Sequence, residues 1–180
     1  MARIALMDRA KMNAEQARVY DAAKAAGGPL GGPYHAYINI PKLFEAAQNM
    51  RSVVGVPLSR REQQIVNVTV SRHWGARYPW YAQVRNALAV GIDQGAIDAI
   101  NARKTPNLPD AREKACFAVS SELLENKKLS DAAYAAAEKA LGLESLVAVV
   151  ATIGSFSMTC ITANTFGIDP PADNPTPLAE

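Results

Sequence analysis

Apolar residues recur at helical spacing along most of the chain, and the breaks between these runs carry caps and turn residues. Asn13 followed by Gln16 reads as a capping-box start, so a helix is predicted from Ala14 to Ala26, ended by Gly27 and Gly28. Pro29 to Ile40, rich in Gly, Pro and aromatics, reads as a loop. Pro41 suits the first position of a helix through Met50, with Leu43, Phe44 and Ala47 on its apolar face. Ser59 caps the next helix, in which Ile65, Val68 and Trp74 fall on one face and Gly75 marks the stop.

A further helix carries Pro79 in its first turn, where the missing N–H costs nothing, and closes at Gly91. A short helix follows to about Ala102, and Pro106 to Pro109 forms a turn. Asp110 caps a helix to Asn126, Ser130 caps another to Leu141, and Gly142 leads into a long final helix. No segment alternates apolar and polar residues between turn dipeptides, so the predicted class is all-α. The tail after Gly167 has four prolines and is expected to be an extended arm or disordered.

From Leu146 to Ile168 no charged residue occurs. Seven Thr, Ser and Asn side chains between Thr152 and Thr165 make the run too polar for a membrane span. A helix without charge is then expected to be buried, partly against other subunits, which predicts a homo-oligomer. With 180 residues the chain suits one domain. A net charge of +2 with dispersed basic residues gives no reason to expect a nucleic-acid partner. The opening residues do not form a secretory signal, so the expected location is cytoplasmic. Cys116 and Cys160 lie far apart in apolar helical patterns and read as reduced core thiols.

Residues Pro57 to Gly91 carry the most specific pattern: a Leu-Ser-Arg-Arg step opening a helix, a Trp-Gly turn, and a second helix ending in Ala-Leu-Ala-Val-Gly. This frame resembles the carboxymuconolactone decarboxylase family, which includes the alkylhydroperoxidase AhpD. The resemblance extends at lower specificity from Pro29 to Phe166, including Asn164 in the final helix. It implies an AhpD-like helical fold assembling as trimers or hexamers. The implied division is an N-terminal helix and loop over 1–28, the family-like domain over 29–167, and a Pro-rich tail over 168–180.

In the peroxidase branch of that family a glutamate, a Cys-x-x-Cys pair and a histidine carry the chemistry. The matching positions here are Gln64, Ala76, Pro79 and Gln83. In the other branch the turn reads Tyr-Glu-Trp, against Tyr78, Pro79 and Trp80 in this chain. Thiol peroxidation needs an attacking thiolate and a resolving cysteine, and neither is supplied. Glutamine does not titrate, yet it keeps a hydrogen-bond donor and an acceptor. The replacements therefore retain hydrogen bonding while removing proton transfer.

Helical geometry, about 100° per residue, puts Gln83 and Asn86 on the side of Pro79. These two residues and Gln64 are the expected substrate-binding groups, with Arg77 beside the turn placed to pair with a carboxylate ligand or to remain solvated. Tyr78 is expected to donate its phenolic hydrogen into the same pocket. His35, in the aromatic loop with Tyr34 and Tyr37, is expected either to border the site as the imidazole available for proton transfer or to sit exposed in a loop. His73 lies nine positions after Gln64, about the opposite face, and reads as a helix C-terminal histidine. Glu62 points away from Gln64, and Trp80 and Tyr81 read as core or interface anchors. No cofactor or metal is expected.

The expected function is binding, with or without transformation, of a small cyclic or aromatic-derived lactone or carboxylate, without thiol peroxidase chemistry. The alternative is a catalytically lapsed homo-oligomer with a ligand-binding or structural role.

Overall fold

The computed structural model describes residues 2–179, so Met1 and Glu180, which end the predicted N-terminal segment and tail, lie outside the described residues. A short 3-10 turn at Arg9–Lys11 precedes α1 (Ala14–Ala25), α2 (Tyr34–Tyr37), α3 (Pro41–Val54), α4 (Arg60–His73), α5 (Arg77–Ala89) and α6 (Gln94–Asn101). The chain continues through α7 (Ala111–Asn126), α8 (Asp131–Leu141) and α9 (Leu143–Thr165), with no strand among the described residues. The class is all-α.

Local chemistry sets the helix ends. Asn13 Oδ1 accepts from the Gln16 N–H at 2.9 Å while Gln16 Oε1 accepts from the Asn13 N–H at 3.1 Å, satisfying donors at the start of α1. Ser59 and Glu62 form the same reciprocal box at the start of α4. Asp110 and Ser130 cap α7 and α8 through their side-chain oxygens. Gly75, with φ +59°, turns the chain from α4 into α5 in a conformation that most side chains resist.

α4 is the central helix, packed against α5, α7, α9 and α6. Ile65, Val66, Val68 and Val70 are wholly buried on it, so the β-branched run that weakens helix propensity is stabilised by packing. Trp80, Val84, Ile97, Cys116, Val119 and Val149 complete this core. A second, smaller core joins Val19, Ala23, Tyr34, Tyr37, Phe44 and Ala47 from α1, α2 and α3. Each fully buried large apolar side chain contributes roughly 1.5–3 kcal/mol.

Three expectations need correction. The predicted 29–40 loop contains a helical turn, α2, because Tyr34 packs edge-on against both Tyr37 and Phe44 at 5.4 and 5.5 Å and buries the segment. α3 continues four residues beyond Met50, to Val54. Trp74 caps α4 instead of joining its buried face and is 38% exposed, its indole N–H donating to Ser157 Oγ at 2.9 Å. Its carbonyl accepts from Asn164 Nδ2 at 2.8 Å, which ties α9 to the end of α4.

The tail is an ordered arm. Trp80 Nε1 donates to the Thr176 carbonyl at 3.0 Å, Asn101 Nδ2 donates to the Pro177 carbonyl at 3.0 Å, and Leu178 packs on the main core. Trp80 is thereby a core residue that also fastens the tail. α9 has the length and apolarity of a membrane span, but its inner residues pack against α3, α4, α5, α7 and α8. Its outer side exposes Leu143, Val147, Val150, Met158 and Ile161.

Candidate functional site

A cavity of about 330 Å³ lies between the 29–37 loop, α3, α4, α5 and α9. α4 supplies Arg60, Gln63, Gln64 and Asn67, while α5 supplies Tyr78, Pro79, Gln83 and Asn86. α9 adds Thr152, Ser155 and Thr159 from the far side. Residues separated by nearly ninety positions therefore meet because α9 packs across both α4 and α5.

Gln64, Pro79, Gln83 and Asn86 all line this cavity, as does Tyr78. Ala76 is wholly buried and is absent from the lining, so of the two positions matching the family's cysteines only Pro79 faces the cavity. Asn86 is exposed and stands at the rim. Asn67, which the sequence reading overlooked, lies one turn after Gln64 and donates from Nδ2 to Gln83 Oε1 at 3.4 Å, a long and weak bond. Its i+3 spacing from Gln64 is the signal that would have found it.

Gln64 Oε1, Asn67 Oδ1 and Thr152 Oγ1 are buried with no protein hydrogen-bond partner, and all three residues line the cavity. An unpartnered buried polar atom costs about 1–3 kcal/mol, so three such atoms on residues around one cavity point to a partner other than protein. The lining contains no Asp, Glu, His, Lys or Cys; its charged side chains are Arg51 and Arg60, both exposed. Neither arginine has a carboxylate within ion-pair distance among the described residues.

Tyr78 is held by an unusual wall. A Cβ placed on Gly32 would come within 2.3 Å of Tyr78 Cε1, and one on Gly31 within 3.0 Å of its hydroxyl oxygen. The double glycine lets the loop lie directly against the phenol ring. Burial raises the Tyr78 pKa, so the hydroxyl stays protonated and can donate. Gln63 fixes the neighbouring wall by donating from Nε2 to the Gly55 and Leu58 carbonyls at 2.8 and 3.0 Å.

Two predicted site residues lie elsewhere. His35 does not line the cavity; its Nδ1 accepts from the Met7 N–H at 3.0 Å, and burial lowers its pKa so that the ring is held neutral. The helical turn of α2 directs Tyr34 and Tyr37 to the cavity in its place. Arg77 is also absent from the lining and pairs with Asp169 of the returning tail at 3.4 Å, its side chain 69% exposed. His73 lies on a different cavity.

Arg61 and Glu62 of α4 face α7. Arg61 Nε donates to Glu113 Oε1 at 2.5 Å, and Arg112 Nε donates to Glu62 Oε1 at 2.7 Å, so two pairs interlock between the helices. Burial works to raise the Glu62 carboxyl, but the bonds from Arg112 and Ser59 prevail and hold it below the ordinary value. Cys116 and Cys160 are wholly buried on α7 and α9, and burial pushes each thiol up to about 12, leaving no thiolate near neutrality. Among the described residues no group of three or more His, Cys, Asp or Glu side chains could hold a metal ion.

Neither a family model nor a curated protein matches the sequence. Solved structures do. An uncharacterised peroxidase-related protein from Ralstonia eutropha JMP134, described as an alkylhydroperoxidase AhpD core, is 17% identical with a TM-score of 0.75, over 96% of this chain and 93% of that one. An uncharacterised peroxidase-related protein from Silicibacter sp. TM1040 is 16% identical with a TM-score of 0.75, over 96% and 93% of the two chains. A protein of unknown function from Agrobacterium tumefaciens, proposed as an antioxidant defence protein AhpD, is 17% identical with a TM-score of 0.69, over 77% and 97%. The fold implied by residues 57–91 is the fold found: this chain has the AhpD-like helical architecture.

Proposed function

We propose that the cavity between α4, α5 and α9 binds a small cyclic or aromatic-derived lactone or carboxylate, and that any transformation there proceeds by orientation and hydrogen bonding. The observation that carries this reading is that Gln64 Oε1, Asn67 Oδ1 and Thr152 Oγ1, buried and without protein partners, all belong to residues that line one cavity. These groups give a ligand hydrogen bonds that the protein leaves unmade. Small rotations of the terminal amides would turn them toward it. Arg51 and Arg60 at the mouth suit a carboxylate, and the Tyr78 hydroxyl suits a carbonyl oxygen.

Proton transfer near neutral pH requires a titrating group in reach of the ligand. The cavity wall offers amides, hydroxyls, phenols and guanidiniums instead. Thiol peroxidation is disfavoured for a separate reason: both thiols are buried and protonated. A thermal-shift screen of lactones, muconates and aromatic acids, followed by turnover assays on hits, tests the reading. Stabilisation lost in Gln64→Leu supports it, and hydroperoxide reduction dependent on Cys116 or Cys160 contradicts it.

The second reading is a ligand-binding or structural homo-oligomer without catalysis. It is favoured by the exposed apolar side of α9, where Leu143, Val147 and Val150 follow helical spacing and Met158 and Ile161 continue it. On this reading a trimer or hexamer forms in the cytoplasm, and sedimentation of the purified protein at micromolar concentration checks the assembly. The two readings part on turnover: binding without it favours the second.

A further inference from the structure

A second cavity, of about 580 Å³, opens between the C-terminal part of α4, the α6–α7 connection and α7, and shares no lining residue with the first. Its walls are basic. Arg72, Arg103, Lys104 and Lys114 line it, against a single carboxylate, Glu125. Among the described residues none of these four cations has a carboxylate within ion-pair distance.

Arg72 is the most demanding of them. It is only 8% exposed, and its Nε donates to the Asn101 carbonyl at 2.6 Å. A guanidinium cannot shed its proton, so a buried one without a counter-charge is costly until an anion meets it. Arg103 adds an independent sign. It follows the C-cap of α6 with φ +56°, a left-handed position that glycine fills at least strain, yet a cation stands there beside the cavity. Leu108 and Phe117 add apolar lining.

We propose that this second cavity binds a multiply charged oxyanion, a phosphate ester or a polycarboxylate, held by Arg72, Arg103 and Lys114 with its carbon skeleton against Leu108 and Phe117. The volume falls within the roughly 300–1,000 Å³ of small-molecule pockets. His73 reports on occupancy. Burial lowers its pKa, and Lys127 and Arg103 lower it further while Glu125 acts the other way. An anion placed among these cations reverses part of that effect and raises the His73 value.

The experiment is calorimetric titration of the full chain in phosphate-free buffer at constant ionic strength, with inorganic pyrophosphate, AMP and citrate as probes. Saturable binding of at least one probe is expected, with affinity falling about tenfold or more in Arg103→Gly and in Lys114→Gln. Arg103→Gly relieves the left-handed strain and should melt no lower than the parent, so its lost affinity is not lost folding. Gln64→Leu, in the other cavity, should bind the probe unchanged, and the His73 ring resonance should titrate at higher pH with the probe bound. Preference for pyrophosphate or AMP assigns a phosphate ligand, and preference for citrate a polycarboxylate. Absence of saturable binding at millimolar concentration for all three probes, or binding indifferent to both substitutions, overturns the proposal.

Discussion

On the flank of α4 that meets α7, Arg61 and Glu62 are locked with Glu113 and Arg112 into two interleaved ion pairs, whereas the flank that meets the first cavity presents Gln63, Gln64 and Asn67. This stretch of the helix thus sets Arg61 and Glu62 where the fold supplies each a partner and lines the cavity with uncharged amides, with the exposed Arg60 at its mouth. Charges in a buried setting demand fixed, geometrically good partners, and α7 provides them. Amides tolerate a variable partner at smaller cost. The difference explains why this region can retain a family-like frame and a formed cavity while lacking a group that moves protons.

Breaking the charged flank should have the largest effect. Arg112→Ala strands the buried Glu62 carboxylate and is expected to cost about 2–4 kcal/mol by urea denaturation, a value reduced from the fully buried case because Arg112 is partly exposed. The interhelical account fails if the loss is under about 0.5 kcal/mol, the range of an ordinary surface site. Next in size is Gly32→Ala. With φ +62° and Tyr78 already at contact, the added methyl must displace the phenol, costing about 1–3 kcal/mol and weakening ligand binding together. An unchanged melting temperature would show that the loop is free to move off Tyr78.

The cavity flank should respond with the opposite sign. Thr152→Val replaces a buried hydroxyl that has no protein partner by a methyl of similar size, and should stabilise the free protein by about 1 kcal/mol while lowering ligand affinity. Destabilisation would mean that the hydroxyl is already satisfied.

Smaller and more gradual is the dependence on pH. His35 and His73 have depressed values in the fold, and so does Glu62. A depressed value means that the unfolded chain binds more protons, so the stability is present above the unfolded pKa and is lost as pH falls. Denaturation midpoints should therefore decline from about pH 6.5 as the histidines take effect, and further through about pH 4.3 with Glu62. A midpoint that rises on acidification would contradict these shifts.

Much of the fold was legible because caps and helical period are local. Asn13, Ser59, Asp110 and Ser130 each accept the backbone bond that their positions predict. Gln64, Pro79 and Gln83 were legible as a shared wall because a known frame set their register. What escaped notice depends on distant chain. Thr152 reaches the cavity only through the packing of α9, and Arg77 is drawn aside by Asp169 of a tail that returns over α5. The surroundings of His35 are equally non-local: edge-on packing of Tyr34 winds the loop into a helical turn, which period and composition over twelve Gly- and Pro-rich residues do not reveal.

Ligand recognition in the first cavity, as proposed, runs through hydrogen bonds, with no group titrating near neutrality. Its most direct test is the dissociation constant of a neutral lactone selected in the thermal-shift screen, measured by calorimetry from pH 5.5 to 8.5 within the folded range. A constant that stays within about twofold is predicted, since the wall holds no carboxylate, imidazole or thiol. A change of about tenfold or more across neutrality, persisting in His35→Gln and His73→Gln, would place an ionising group in the cavity and contradict the account.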